Sequence, residues 1–353
     1  MGSYAPPQPT GIQTIDISIL IQSTDPVARK AKADELVEAI RTHGACGIVG
    51  HGIPIPHIRE AFNWTKRFFD LPKAIKTKVN HPDGIVPHRG YSGIGREKCL
   101  IYTEEELEAM GGELAEESKK PLDWKEHIDI GSDEEKMHYS LWLPEEDLPG
   151  FRSYITQFYF EAEAVSRAVL NGIIDGLEVE HEAAEYFRSI HTGHQNGIRL
   201  VHYPSAPESE IDRSQSTWCP AHTDFTTFTL LFQDHNQGLE IEDRLNPGTY
   251  FLADPSIEDR LYLTMGDFGA IWTNGHLPAS KHRVVIPRAT DGSGITPLRY
   301  SMPYFITPTE DGIIGPQYTG KLAGTQKGQY DTTTVKKHIE FRMAFQIAPA
   351  EEG

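Results

Sequence analysis

The chain has 353 residues, of which 51 are acidic and 33 basic, giving a formal net charge of −18. That length holds one large domain or two ordinary ones, with a sizeable core. The negative field repels phosphate backbones and anionic membranes, so neither nucleic acid nor a membrane is an expected partner.

The N-terminus, MGSYAPPQPTGIQ, is polar and Pro-rich, with no apolar signal core, and no later run approaches membrane-spanning length. The three cysteines, Cys46, Cys99 and Cys219, are scattered and cannot all pair, which suits a reducing compartment; a cytoplasmic setting is expected. Cys219 reads as a small buried hydrophobe rather than a nucleophile, because no base is evident beside it.

In chain order, IQTIDISIL alternates as a short strand. DPVARKAKADELVEAIRTHG has apolar residues at helical spacing, with Gly44 as its C-terminal cap. ACGIVGHGI reads as a strand, and IPHIREAFNWTKRFFDLP as an amphipathic helix stopped by Pro72. PHRGYSGIGRE is a turn-rich loop: its glycines fit G-x-x-G-x-G, but no strand and helix flank them, so a plain loop is expected. Residues 103–119 are charge-dense and read as a solvated helix or a mobile loop. DWKEHIDIG follows as a strand. LPGFRSYITQFYFEAEAVSRAVLNGIIDGLEV is the longest helical signal, with Gly176 at its end.

From Gly197 the pattern changes. Short apolar or alternating runs recur as IRLVHYP, TFTLLFQ, GLEIED, LYLTMGDFGAIWTN, HRVVIP and RYSMPYF, separated by turn residues. Short strands at steady spacing point to a sandwich or barrel. TTTVKKHIEFRMAF reads as a closing helix. The expected organisation is an N-terminal subdomain over 1–190, a catalytic core over 191–310 and a C-terminal helical segment over 311–353.

Five residues inside the core carry chemistry. His222 and Asp224 stand two apart in CPAHTDFTTFTLLF, which reads as one strand, so both side chains share a face. SKHRVVI supplies His282. Two imidazoles and a carboxylate bind one face of Fe(II) and leave positions open. In RYSMPYF, Arg299 and Ser301 also share a face, and a guanidinium fork beside a hydroxyl suits a carboxylate. A metal triad with a carboxylate clamp calls for a cosubstrate that chelates at one end and carries an acid at the other. 2-Oxoglutarate fits.

With these residues in view, the chain resembles the Fe(II)- and 2-oxoglutarate-dependent dioxygenases of the isopenicillin N synthase-like group. The core signature is HTD at 222–224, MGDFGAIWTNG at 265–275, SKHRV at 280–284 and RYS at 299–301. HGACGIVGHGI, FFDLP, RGYSGIG, DWKEHIDIG and LWLPEEDLPGF match the group's N-terminal region in order. The resemblance implies an α+β fold: a double-stranded β-helix, or jelly roll, with flanking helices and a helical N-terminal subdomain. It implies His222, Asp224 and His282 as iron ligands and catalytic centre, and Arg299 and Ser301 on the distal carboxylate of 2-oxoglutarate. The group's N-Y-Y-P element stands here as Val201-His202-Tyr203-Pro204, and Tyr203 matches the tyrosine that reaches the same carboxylate. The implied reaction uses Fe(II), 2-oxoglutarate and O2 to oxidise a C–H bond of a small organic molecule of specialised metabolism. Hydroxylation, desaturation, ring closure and ring expansion all remain open.

Two other classes use similar residues. A metal-dependent hydrolase shares the triad but needs no Arg299/Ser301 clamp. A non-catalytic small-molecule receptor on this fold is marked by loss of a metal ligand, and none is lost here. Arg199 shares strand parity with Tyr203 and is the candidate for an acidic or oxygen-rich substrate; a structural ion pair is the competing reading. Phe225 adjoins Asp224 and is a candidate pocket wall, whereas Phe228, Phe232 and Trp272 read at least as well as core. Among other histidines, His51 reads as structural, His81 and His88 as solvated loop residues, and His276 as exposed.

Overall fold

The structure, a computed structural model, describes residues 11–82, 89–96, 122–135, 139–213 and 216–343. The charge-dense run at 103–119 and His88 lie outside them. Among the described residues, twelve strands form the two main sheets. In chain order they are β1 (Thr14–Asp16), β2 (Ala45–Val49), β3 (Gly90–Ser92), β4 (Glu126–Gly131), β5 (Gly197–Tyr203) and β6 (Cys219–His222), then β7 (Phe228–Gln233), β8 (Leu239–Glu242), β9 (Tyr250–Leu252), β10 (Leu261–Met265), β11 (His282–Val284) and β12 (Arg299–Ile306). Among the described residues the α-helices are α1 (Ser18–Gln22), α2 (Pro26–Arg41), α3 (Ile55–Phe69), α4 (Lys73–Lys76), α5 (Phe151–Leu177), α6 (His181–Ser189), α7 (Asp267–Trp272) and α8 (Val335–Met343). No helix of the described residues is long and apolar enough to cross a membrane.

The large sheet has eight strands in the order β1-β2-β10-β7-β12-β5-β4-β3, and the small sheet four, in the order β9-β8-β11-β6. Only the β1–β2 pairing is parallel within them. The two sheets are the walls of the expected double-stranded β-helix. The large sheet draws β1 to β4 from residues before 191, so the N-terminal part of the chain is built into the barrel wall.

Strand alternation divides the large sheet between two environments. On β5, Ile198 and Leu200 join the helices' core, while Arg199, Val201 and Tyr203 face a cavity between the sheets. On β12, Tyr300, Met302, Tyr304 and Ile306 face the helices, and Arg299, Ser301, Pro303 and Phe305 the cavity. The helical layer packs as its periodicity predicts. Asp25 caps α2 by accepting the Val27 N–H at 3.0 Å, and Gly44, at φ +70, donates to Ile40 O at 2.8 Å. α3 buries Ile58, Ala61, Trp64, Thr65, Phe68 and Phe69. Gly176 does not end α5. It lies inside the last turn, where a Cβ would sit 2.5 Å from the Ala33 carbonyl, so it permits the close approach of α2. Glu178, at φ 56, makes the stop.

Three sequence expectations need correction. IQTIDISIL is a strand only over Thr14–Asp16, and then becomes α1. The second half of LYLTMGDFGAIWTN is the helix α7, because Gly266 lets the backbone turn against Thr226, where a Cβ would fall 2.2 Å from the carbonyl oxygen. CPAHTDFTTFTLLF is not one strand: β6 ends at His222 in the small sheet, and β7 starts at Phe228 in the large one. Asp224 therefore sits on the corner between sheets, and strand alternation is not what brings it beside His222.

On the helical side of the large sheet, Glu126 accepts from Lys76 Nζ at 2.7 Å and Tyr91 Oη at 2.6 Å, and His202 Nδ1 lies 2.8 Å away. Burial pushes the Glu126 carboxyl up, but hydrogen bonds from His202, Lys76 and Tyr91 outweigh it and hold it at about 2. A depressed carboxylate stabilises the fold above its ordinary pKa of 4.5, and that stability is lost as pH falls towards about 2. The stability gap between wild type and Glu126→Gln, measured by urea unfolding, should narrow by about 2 kcal/mol between about pH 6 and pH 3. A gap independent of pH would contradict this reading.

Candidate active site

The pairing of β6 with β11 sets His222 directly opposite His282, with ring centroids 4.3 Å apart. Each imidazole is oriented by a carbonyl two residues earlier. His222 Nδ1 lies 2.8 Å from Pro220 O, and His282 Nδ1 lies 3.1 Å from Ser280 O. A proton on Nδ1 leaves each Nε2 a lone pair directed at the cavity. Asp224 completes the group, with Oδ1 3.5 Å from His222 Nε2 and 3.9 Å from His282 Nε2. One ligand atom from each residue can be chosen so that all lie within 4.8 Å of one another.

The corner holding Asp224 is fixed from several sides. Thr229 Oγ1 donates to Asp224 Oδ2 at 2.6 Å, and Asp267 N donates to Asp224 O at 2.8 Å. Burial raises the Asp224 carboxyl, but His282, His222 and Thr229 together hold it well below the ordinary carboxylate range. Burial, and then the neighbouring His222, push His282 down to about 4. A carboxylate beside two imidazoles forms a donor set suited to a divalent cation.

β12 and β5 bring Arg299 opposite Tyr203, and Ser301 opposite Val201. The Arg299 side chain is fully buried, and its Nη2 reaches Gln233 Oε1 at 3.2 Å. Its Nε and Nη1 have no hydrogen-bond partner among the described residues. Leaving guanidinium donors unsatisfied in the interior is costly, so this fork fits an anionic oxygen pair that the chain itself does not supply. Burial raises the Tyr203 phenol despite nearby Arg299, and Ser301 hydrogen-bonds to it, so its hydroxyl keeps a proton to donate. Tyr203, Arg299 and Ser301 line the same cavity as His222, Asp224 and His282. Triad and clamp thus occupy one chamber, as a chelating dicarboxylate requires.

Arg199 and Phe225 line this cavity as well. Arg199 pairs with Asp129 through two bonds, from Nε at 2.7 Å and Nη2 at 3.1 Å. Phe225 is half-buried, while Phe228, Phe232 and Trp272 are core residues outside the lining. Sequence reasoning missed Arg89, Lys125, Asp129 and Gln195, which also line the chamber. Asp129 was detectable in principle: in DWKEHIDIG, Lys125, His127 and Asp129 alternate with Ile128 and Ile130, and Asp129 is the cross-strand partner of Arg199. Arg89 and Gln195 lie in loops and carry no such signal. His51 is structural, bonded to Asp259 O at 2.8 Å and Ile53 N at 3.1 Å. His81, expected to be solvated, is buried and lies 2.5 Å from Pro82 O. His276 is half-buried.

Residues 12–148 match the family model for the non-haem dioxygenase in morphine synthesis N-terminal region, and residues 195–308 match the 2OG-Fe(II) oxygenase superfamily. A 2-oxoglutarate-dependent dioxygenase of Dothideomycetidae sp. is 34% identical over 298 residues, covering 84% of this chain and 85% of the relative. A proline hydroxylase of Petromyces alliaceus is 33% identical over 286 residues, covering 81% of this chain and 84% of its own. Among solved structures, a full-length Neurospora crassa protein in complex with alpha-KG and thymine has a TM-score of 0.78 and 29% identity, with 94% of this chain and 96% of that one covered. The chain belongs to the 2-oxoglutarate- and Fe(II)-dependent oxygenases of the isopenicillin N synthase-like type, and is an oxidoreductase that uses Fe(II), 2-oxoglutarate and O2.

Proposed function

We propose that His222, Asp224 and His282 hold the iron, that Arg299, Ser301 and Tyr203 hold the distal carboxylate of 2-oxoglutarate, and that a small molecule with an acidic or oxygen-rich group is oxidised in the same chamber. The observation that carries this reading is the buried Arg299 fork, with two unsatisfied donors in the chamber of the His-Asp-His group. Iron bound there supplies the O2 activation that couples conversion of 2-oxoglutarate to succinate and CO2 with C–H oxidation. The protein supplies orientation. Pro220 and Ser280 set the imidazole faces, Thr229 sets the carboxylate, and the two sheets shield the chamber from bulk water. A hydrolase gives no reason for the Arg299 fork, and a receptor gives none for the intact ligand set. Buried thiols at Cys46 and Cys219 suit a cytoplasmic, reducing setting.

The substrate assignment rests on the chamber's polar lining, which includes Arg89, Gln195, Arg199 and Asp129. Two guanidiniums on a shielded wall favour a carboxylate or a cluster of carbonyl and hydroxyl oxygens. Phe225 and Phe305 offer apolar faces on the same lining. A screen of such molecules read by succinate release tests the function. Arg199→Met should raise the KM of the substrate so found by about tenfold, the scale of one charge-assisted contact. Fe(II) and 2-oxoglutarate binding, and slow substrate-free succinate formation, should persist. Unaltered substrate kinetics would remove Arg199 from the substrate site and leave it as the structural partner of Asp129.

A further inference from the structure

The C-terminal helix α8 presents one stripe to the barrel. Val335, His338, Ile339 and Arg342 recur at helical spacing and are buried or half-buried, while Lys336, Lys337, Glu340 and Phe341 are exposed. Two members of the stripe converge on one carboxylate. His338 Nε2 lies 3.0 Å from Asp267 Oδ2, and Arg342 Nη1 donates to the same oxygen. The other oxygen, Asp267 Oδ1, accepts from Thr223 Oγ1 at 2.9 Å.

Thr223 is the residue between His222 and Asp224. Arg342 also donates directly to the Thr223 carbonyl, from Nη2 at 2.9 Å, and its guanidinium carbon lies 5.9 Å from the centre of the Phe225 ring. The Asp267 N–H in turn donates to Asp224 O at 2.8 Å. The Arg342 side chain and the Asp267 backbone N–H therefore hold the successive carbonyls of Thr223 and Asp224. A salt bridge to Asp267 alone would suffice to dock α8; the bond to the Thr223 carbonyl acts on the loop instead. One turn earlier, Ile339 lines the chamber. The same helix thus meets the substrate space and the backbone between two of the proposed iron ligands.

We infer that Arg342 is a positioning residue for the metal-binding corner, acting with Asp267 on Thr223, and that α8 is a working wall of the active site. The inference rests on His222 and Asp224 being metal ligands. Arg342 fixes a corner that no strand pairing supports, because β6 ends at His222 and β7 begins at Phe228. Without it the loop gains conformations in which Asp224 no longer meets the two imidazoles, and metal affinity falls.

The test uses the full-length protein and Mn(II), a redox-silent stand-in for Fe(II), with free Mn(II) followed by electron paramagnetic resonance. Arg342→Met should raise the Mn(II) Kd by about tenfold, within the range seen when groups that orient metal ligands are removed. Arg342→Lys should recover part of the loss, since one donor can still reach Asp267 or Thr223. Lys337→Met, on the exposed face of the same helix, should match wild type. Should Arg342→Met fail to fold, Thr223→Val removes only the hydroxyl bond to Asp267 and should weaken Mn(II) by about threefold or more, as one lost hydrogen bond. Wild-type Mn(II) affinity in folded Arg342→Met, or in Thr223→Val if only that variant folds, would overturn the inference. His222→Ala separates the two levels. If it loses Mn(II) while Arg342→Met does not, only the role of α8 falls. If it binds Mn(II) as wild type does, the metal assignment itself falls.

Discussion

His222→Ala, Asp224→Ala and His282→Ala should each lower Fe(II)-dependent succinate formation by about a thousandfold or more, because each removes one of the three proposed protein ligands of a single cation. Asp224→Asn should come close to the same loss with almost no change of shape. It removes the negative charge that the two imidazoles hold well below the ordinary carboxylate range. The effects should not add: once one ligand is gone, removing a second has little left to remove. Folding should survive in all of them, since the corner is also held by the Thr227 N–H on Ile306 O at 2.8 Å and the Phe268 N–H on Thr226 O at 2.9 Å. The measurement is succinate release at saturating Fe(II) and 2-oxoglutarate. Wild-type release from any one variant would show that its residue is not a required ligand.

Arg299→Leu should raise the 2-oxoglutarate Kd by about thirtyfold to several thousandfold, corresponding to about 2–5 kcal/mol for a charge-assisted pair in a shielded site. Its effect on the empty protein should be opposite in character. Nε and Nη1 of Arg299 have no partner among the described residues, so replacing the side chain by an apolar one relieves buried polar groups. The thermal midpoint of the metal-free variant should therefore be held or raised, while cosubstrate binding collapses. Tyr203→Phe removes a single neutral donor from the same carboxylate and should cost about 0.5–1.5 kcal/mol. An unchanged Kd in Arg299→Leu would sink the clamp, and an equal loss in Tyr203→Phe would reverse the ranking of the two residues.

The triad was legible because its chemistry is carried by residue type and order, not by the local conformation. His222 and Asp224 meet although the single strand expected to align them is broken between sheets. Side-chain period alone does not reveal a corner, because the signal that makes one here is distant: Gly266 and the N-terminus of α7 pack against Asp224 and Thr226 from forty residues away. Arg299 and Ser301 were legible for the reason given, since β12 is regular and both face the chamber. Arg199 shares their face as parity predicts, but its bond to Asp129 depends on the register of β4 against β5, which no local pattern states. Ile339 and Arg342 were hidden for a related reason. A closing helix was evident, but what its buried stripe touches is set by tertiary packing.

The most direct measurement is an anaerobic titration of 2-oxoglutarate into the protein with and without Fe(II), followed by the visible charge-transfer band and by calorimetry. If triad and clamp hold one cosubstrate between them, Fe(II) should tighten 2-oxoglutarate binding at least about tenfold, through reciprocal coupling of the two sites. The band should appear in wild type and be lost in His282→Ala. Equal 2-oxoglutarate affinity with and without Fe(II), or a band that persists in His282→Ala, would contradict a shared chamber built on these residues.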